Sequence, residues 1–146
     1  RPWQRDLTTD LHRLVDLYQT DYLVSLLEEW EYREYKIPNL REQAMALGMT
    51  VLHLPIPDGS VPPNRELFHA TLNQSLAALH HGKTVVVHCR GGLGRAGTIA
   101  ASLLIAMGHS AEEAITLVRS TRPHAIENSC QEMFLANLTW TDDDGN

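Results

Sequence analysis

Three glycines, Gly91, Gly92 and Gly94, separate Cys89 from Arg95 in the run His88-Cys89-Arg90-Gly91-Gly92-Leu93-Gly94-Arg95-Ala96-Gly97-Thr98. Glycine lets the backbone curl, so that successive N–H groups between Cys89 and Arg95 converge on one point and form an anion nest. A helix starting at the end of the run adds its positive end, and Arg95 supplies a forked guanidinium able to hold two oxygens of one anion. A tetrahedral phosphate meets that description. The amides, the helix dipole and Arg95 would together favour the thiolate of Cys89, which is a nucleophile towards phosphorus. Taken singly, these features are ordinary, since a free cysteine after a strand is usually a small core residue and a glycine-rich turn usually only turns. Their joint spacing reverses that balance. Around the thiol, His88 is placed to shape the loop, Arg90 adds positive charge at its rim, and the Thr98 hydroxyl leans back towards it from the first helical turn.

A second candidate lies upstream. Between Pro55 and Pro63 there are four prolines, with Asp58 and Gly59 among them, a composition that excludes a helix or an interior strand and favours a stiff, ordered loop. A carboxylic acid held there can protonate a departing alkoxide or phenoxide and then deprotonate a water. Asp-Gly is also a common turn, so Asp58 on its own is a weaker signal than the glycine-rich run.

The elements that must position these groups follow from periodicity. Leu7, Leu11, Leu14, Val15 and Tyr18 share one face of a helix predicted over 7–19. Residues 22–27 read as a strand, followed by a polar and aromatic connector over 28–36. Leu40, Ala44 and Leu47 mark a helix stopped by Gly48, and 50–54 a second strand. Asn64 caps a helix running to about His81 and ended by Gly82. The β-branched run 84–88 predicts a strand buried on both faces, at the centre of the sheet, with Cys89 at its C-terminal end, where open α/β sheets place their ligands. A helix of small and apolar residues then runs to Met107. Ser110 with Glu113, and Ser129 with Glu132, form capping-box patterns ahead of two further helices, and the acidic tail 142–146 is expected to fray. The fold class is α/β, with a central, mostly parallel sheet flanked by helices.

Composition bounds the rest. With 146 residues, 43% hydrophobic and 21% charged, the chain is expected to form one domain over 1–146. Starting at Arg1 rather than Met, it reads as a piece of something longer. A net charge of −6 has the wrong sign for a nucleic-acid binder. No apolar run approaches the ~20 residues of a membrane span, and no secretory signal is present. Two cysteines, Cys89 and Cys130, build no disulfide framework, so a cytoplasmic location is expected, with Cys130 as a core thiol. The histidines lack metal-ligand spacing, and neither metal nor cofactor is expected.

His88-Cys89, five residues and Arg95 resemble the signature of the cysteine-dependent protein phosphatases. Together with Pro38-Asn39-Leu40, Pro55-Ile56-Pro57-Asp58-Gly59 and Ala125-Ile126-Glu127 with Gln131, the chain is similar to the cyclin-dependent-kinase-inhibitor-3 type of dual-specificity phosphatase over roughly residues 5–138. The resemblance implies the cysteine-phosphatase fold, with Cys89 as nucleophile and Arg95 as phosphate binder and transition-state stabiliser. By the same likeness, Asp58 is the general acid on a mobile loop and Gln131 a water-positioning glutamine. The loop 90–95, namely Arg90, Gly91, Gly92, Leu93, Gly94 and Arg95, would then bind phosphate. Two positions depart from the pattern. Ala96 stands where relatives usually carry a hydroxyl that can stabilise the leaving thiolate, a task Thr98 could take over. His124 stands where glycine is common, and its ring could narrow the pocket.

The expected activity is phosphomonoester hydrolysis through a phosphocysteine on a phosphorylated protein or peptide. Two alternatives stand beside it: a catalytically weak relative that binds phosphorylated ligands, suggested by Ala96, and a phosphatase of phosphoinositides or other small phosphorylated molecules, suggested by Arg90. A sulfur-transferase-like or arsenate-reducing loop also holds a cysteine over an anion, but the arginine at this spacing and the separate Asp58 loop argue against it.

Overall fold

The structure is a computed structural model, and it describes residues 7–91 and 94–140. Gly92, Leu93 and the tail 142–146 lie outside the described residues. The elements run α1 Leu7–Asp16, β1 Thr20–Ser25, α2 Glu29–Glu34, α3 Leu40–Ala46, β2 Thr50–His53, α4 Arg65–His80, β3 Thr84–His88, α5 Arg95–Ala106, α6 Ala111–Thr121 and α7 Ser129–Ala136.

Among the described residues the three strands form a parallel sheet in the order β2-β1-β3. Helices cover both faces because strand side chains alternate. Leu23 of β1, Val51 of β2 and Val86 of β3 point into a cluster with Leu11 of α1, Tyr32, and Leu40 and Ala44 of α3. Their neighbours Val24, Leu52, Val85 and Val87 point the other way, against Phe68 and Leu72 of α4 and Ile99 and Leu103 of α5. A third cluster joins α5, α6 and α7 through Ala101, Ala114, Ile126 and Leu135.

The helix starts follow local chemistry. Asn64 Oδ1 accepts the Leu67 N–H at 2.9 Å, and Ser110 and Glu113 exchange hydrogen bonds as a capping box, satisfying N–H groups that a first turn leaves without partners.

Four expectations are corrected. The stretch 28–36 is not merely a connector: it contains helix α2, whose Glu31 and Tyr32 are buried. Strand β3 is not central but at the edge of the described sheet, and all five of its residues are half-buried. The cap of α7 is Asn128 rather than Ser129, because the Asn128 side chain reaches the Gln131 N–H at 2.9 Å. Cys130, expected in the core, is exposed, since it lies one residue, about 100° around α7, from the buried Gln131.

Candidate active site

Cys89 follows the last residue of β3, and α5 opens at Arg95 behind Gly94. The turn therefore brings the N-terminal end of a twelve-residue helix onto the thiol. The Ala96 N–H donates to Cys89 Sγ at 3.4 Å, the kind of partner that stabilises negative charge on sulfur. A cavity of about 280 Å³ is lined by Asp58, Cys89, Arg90, Gly91, Gly94, Arg95 and Glu127. Three elements distant in sequence thus converge on one small polar space. A larger cavity of about 870 Å³ is lined by Leu11, Leu40 and Val86 and also by Cys89 and Gly91, with Arg122 in its wall.

Arg95 is 1% exposed, and a buried guanidinium must have its charge and donors met. Its Nη1 donates to Glu31 Oε1 at 2.7 Å and to the Ile56 carbonyl at 2.9 Å, and its Nη2 donates to Glu31 Oε2 at 3.0 Å. Of five guanidinium hydrogens, those bonds engage three. The remaining pair, on Nε and Nη2, forms the side-on fork suited to two oxygens of one phosphate. Asp58 Oδ1 lies 3.8 Å from Nη2. Burial works against the charge of Arg95, but the hydrogen bonds and charge of Glu31, with Cys89 and Asp58 adding to them, hold its pKa above the ordinary value.

Glu31 is the group sequence reasoning missed. Its carboxylate is fully buried and accepts from Arg95, from the Glu28 N–H at 2.9 Å and from the Tyr35 hydroxyl at 3.4 Å. Burial alone would raise its pKa; the bonds from Arg95 and Glu28, the charge of Arg95 and the Tyr35 hydroxyl outweigh that and hold it below the ordinary value. The available signal was the spacing of Glu28, Glu31 and Tyr35, which suits a short helix with one inward face. Tyr35 extends the network to Arg90, whose Nη1 donates to the tyrosine hydroxyl at 3.1 Å while the guanidinium lies 4.8 Å from the ring centroid. Arg90 is thereby held at the rim of the cavity.

Asp58 is exposed on a loop tied at both ends. Leu54 and Ile56 donate their N–H groups to Ser25 and Leu26, the Ile56 carbonyl is held by Arg95, and the Gly59 carbonyl accepts from Asn128 Nδ2 at 2.8 Å. Gln131 is wholly buried. Its Oε1 accepts the Glu127 N–H at 2.9 Å and its Nε2 donates to the Ser60 carbonyl at 3.2 Å. Gln131 therefore braces the Asp58 loop against the start of α7, and its amide does not line the cavity. The Thr98 hydroxyl donates its single hydrogen to the Gly94 carbonyl at 2.8 Å, so it supports the loop but does not replace the hydroxyl absent at Ala96. The Nε2 of His88 is buried without a partner among the described residues; burial first, then the charges of Arg95 and His53, pushes its pKa down to about 4, so the ring is neutral near pH 7. His124 lines a separate shallow cavity with Arg119 and Glu127 and does not narrow the one at Cys89. Among the described residues no His, Cys, Asp and Glu cluster could hold a metal.

Residues 1–109 match the family described as "Polymorphic toxin system, DSP-PTPase phosphatase". The chain belongs to that family. DSP-PTPase relatives agree with this placement. Cyclin-dependent kinase inhibitor 3 of Rattus norvegicus is 32% identical over 94 residues, which span 63% of this chain and 44% of the relative. The chain thus spans less than half the length of that curated relative. Kinase associated phosphatase, solved with its catalytic-site cysteine replaced by serine, superimposes with a TM-score of 0.83 at 27% identity over 90% of this chain and 74% of the other. PTPMT1 in complex with PI(5)P gives 0.76 at 25% identity, over 90% and 83%. The DSP-PTPase fold, with helices flanking a small parallel sheet, is therefore that of this chain.

Proposed function

We propose that this chain is a phosphomonoester hydrolase working through a phosphocysteine, with Cys89 as nucleophile. The observation carrying this reading is the convergence of Cys89, Arg95 and Asp58 on one cavity of about 280 Å³. In the first step the Cys89 thiolate attacks phosphorus, the ester P–O bond breaks, and Asp58 gives its proton to the departing oxygen. Arg95, fixed by Glu31, offers its side-on fork to the phosphoryl oxygens, and the N–H groups at the start of α5 face the same charge. In the second step water attacks phosphorus, the S–P bond breaks, the electron pair returns to sulfur, and a water proton passes to Asp58.

The substrate we assign is a phosphorylated side chain of a protein or peptide, phosphotyrosine or phosphoserine and phosphothreonine. A second reading has one observation behind it: Arg90, held over Tyr35 at the cavity rim, suits a further phosphate, as on a phosphoinositide, and the similar PTPMT1 was solved with PI(5)P. No helix among the described residues is long and apolar enough to cross a membrane. We place the enzyme in a reducing compartment such as the cytoplasm, where Cys89 stays unoxidised.

The test is Cys89→Ser. Turnover of p-nitrophenyl phosphate should vanish while vanadate still binds, because Arg95 and the amides remain. Measurable steady turnover by Cys89→Ser would sink the mechanism.

A further inference from the structure

Helix α2 aims the carboxylate that fixes Arg95, yet it has only six residues, too few to hold its place by backbone hydrogen bonding alone. Its own start leans on Glu31, because the Glu28 N–H donates to the same Oε1 that accepts from Arg95. Contacts from outside the helix must therefore set where it lies. On its inner side Tyr32 is buried, packs with Leu11, Leu23 and Leu40, and shares a hydrogen bond through its hydroxyl with Ser25 at the end of β1. On its outer side, Arg41 of α3 reaches across to it.

Arg41 grips α2 at two points. Its Nη1 and Nη2 fork onto the Glu29 carboxylate at 2.9 and 2.7 Å, and its guanidinium lies 4.3 Å from the centre of the Tyr32 ring. The second hydrogen of Nη1 goes to His53 Nδ1, at the end of β2, at 3.1 Å. A guanidinium only donates, so Nδ1 accepts, and the ring hydrogen sits on Nε2, which donates to the Leu27 carbonyl at 2.7 Å. Leu27 belongs to the link that carries the chain from β1 into α2. A fully exposed ion pair contributes little, but the Arg41 side chain is only 23% exposed and is tied to α2, to β2 and, through His53, to the entry into α2. Glu31 lies two residues, about 200°, round the helix from Glu29, so α2 is held between two arginines, Arg41 outside and Arg95 inside. We infer that Arg41 is a positioning residue for the hydrolysis: by fixing α2 it sets Glu31, and through Glu31 the side-on fork of Arg95. This rests on the reading of Arg95 as phosphate binder. The Arg95–Glu31 bonds of 2.7 and 3.0 Å leave little slack, since such bonds have their ordinary range up to about 3.2 Å. A drift of α2 by roughly 1 Å frees the guanidinium to turn, and a misplacement of that size costs up to about 100-fold in rate.

The test uses the full chain, inorganic vanadate and p-nitrophenyl phosphate. Arg41→Gln should weaken vanadate binding about tenfold and lower kcat/KM by a similar or larger factor. Arg41→Lys, which keeps a charge over Tyr32 and one bond to Glu29, should recover part of both. Because the path runs through Glu31, adding Arg41→Gln to Glu31→Gln should cost little vanadate affinity beyond that lost in Glu31→Gln alone. If Glu31→Gln does not fold, the nuclear magnetic resonance of the Arg95 Nε–H decides, and it should shift or broaden in Arg41→Gln. The inference is overturned if Arg41→Gln lowers the urea midpoint while the folded variant binds vanadate as tightly as wild type. It is equally overturned if the losses from Arg41→Gln and Glu31→Gln multiply, or if the Arg95 resonance stays in place. Undiminished vanadate binding and turnover by Arg95→Ala would instead overturn the reading of Arg95 itself, whatever Arg41 does.

Discussion

Asp58 and Ala96 carry the sharpest tests of chemistry at the level of single residues. If Asp58 protonates the leaving oxygen, Asp58→Asn should slow an alkyl phosphate by roughly 10²- to 10⁴-fold and p-nitrophenyl phosphate far less, because nitrophenolate departs without a proton. Equal losses on both esters would make Asp58 a structural residue. Ala96 lacks the hydroxyl that could meet the charge returning to sulfur, and the Thr98 hydrogen is already donated to Gly94. What faces the sulfur is the Ala96 N–H. Ala96→Ser should therefore raise kcat up to about tenfold if a hydrogen bond of roughly 1.5 kcal/mol is gained; steady-state kinetics showing no gain would mean that the backbone N–H suffices. That Cys89 and Arg95 face one cavity was legible from sequence because the signal is local, glycines beside the thiol; Asp58 lines the same cavity, but its proline-stiffened loop was the weaker signal. Glu31 was not, since its burial depends on an arginine 64 residues away, and a glutamate in a polar stretch reads as solvent-facing. Glu127 was legible as part of a motif but not as a pocket group, because its exposure to the cavity depends on the backbone turn at Ile126.

At the scale of elements, α2 and the segment before α7 act as two clamps on the loop between β3 and α5. Helix α2 holds Arg95 from one side through Glu31, and a pair of this kind is costly to break from one end only. Glu31→Ala should lower stability by about 3 to 5 kcal/mol, measured by urea unfolding, and weaken vanadate binding because Arg95 is no longer held in place. Unchanged vanadate affinity in the folded variant would show that Arg95 is positioned without Glu31. The segment before α7 approaches α5 so closely that a methyl group on Gly97 would lie 3.2 Å from the Ile126 nitrogen. Gly97→Ala should push the Glu127 turn outward, costing about 1 to 3 kcal/mol by overpacking and lowering kcat, as thermal unfolding and steady-state assays would read. Most helices were legible from their caps and stop glycines. Helix α2 was not, because six residues with a single inward face carry too little periodicity, and β3 read as central because its valines look the same in sequence whether one or both edges are paired.

For the whole molecule, the neutral His88 links the active-site loop to stability against acid. Its pKa of about 4 in the fold lies below the ordinary value near 6.5, so the unfolded chain binds a proton that the folded chain refuses. The contribution of His88 is full above pH 6.5 and is lost as pH falls towards 4, about 3 kcal/mol at 1.36 kcal/mol per pKa unit. Urea unfolding of His88→Gln should lack that part of the decline; parallel curves for the two proteins would contradict it. The arrangement of the molecule, a parallel sheet delivering a thiol to a helix N-terminus while two clamps fix the surrounding charges, has one chemical consequence above all others. The most direct measurement is rapid acid quench of the wild-type chain with a radiolabelled aryl phosphate, followed by peptide mapping. Under the phosphocysteine mechanism, label should appear on the peptide containing Cys89 within the first turnover and be lost on the timescale of kcat. Turnover with label on another residue, or with no covalent label at any time, would contradict it.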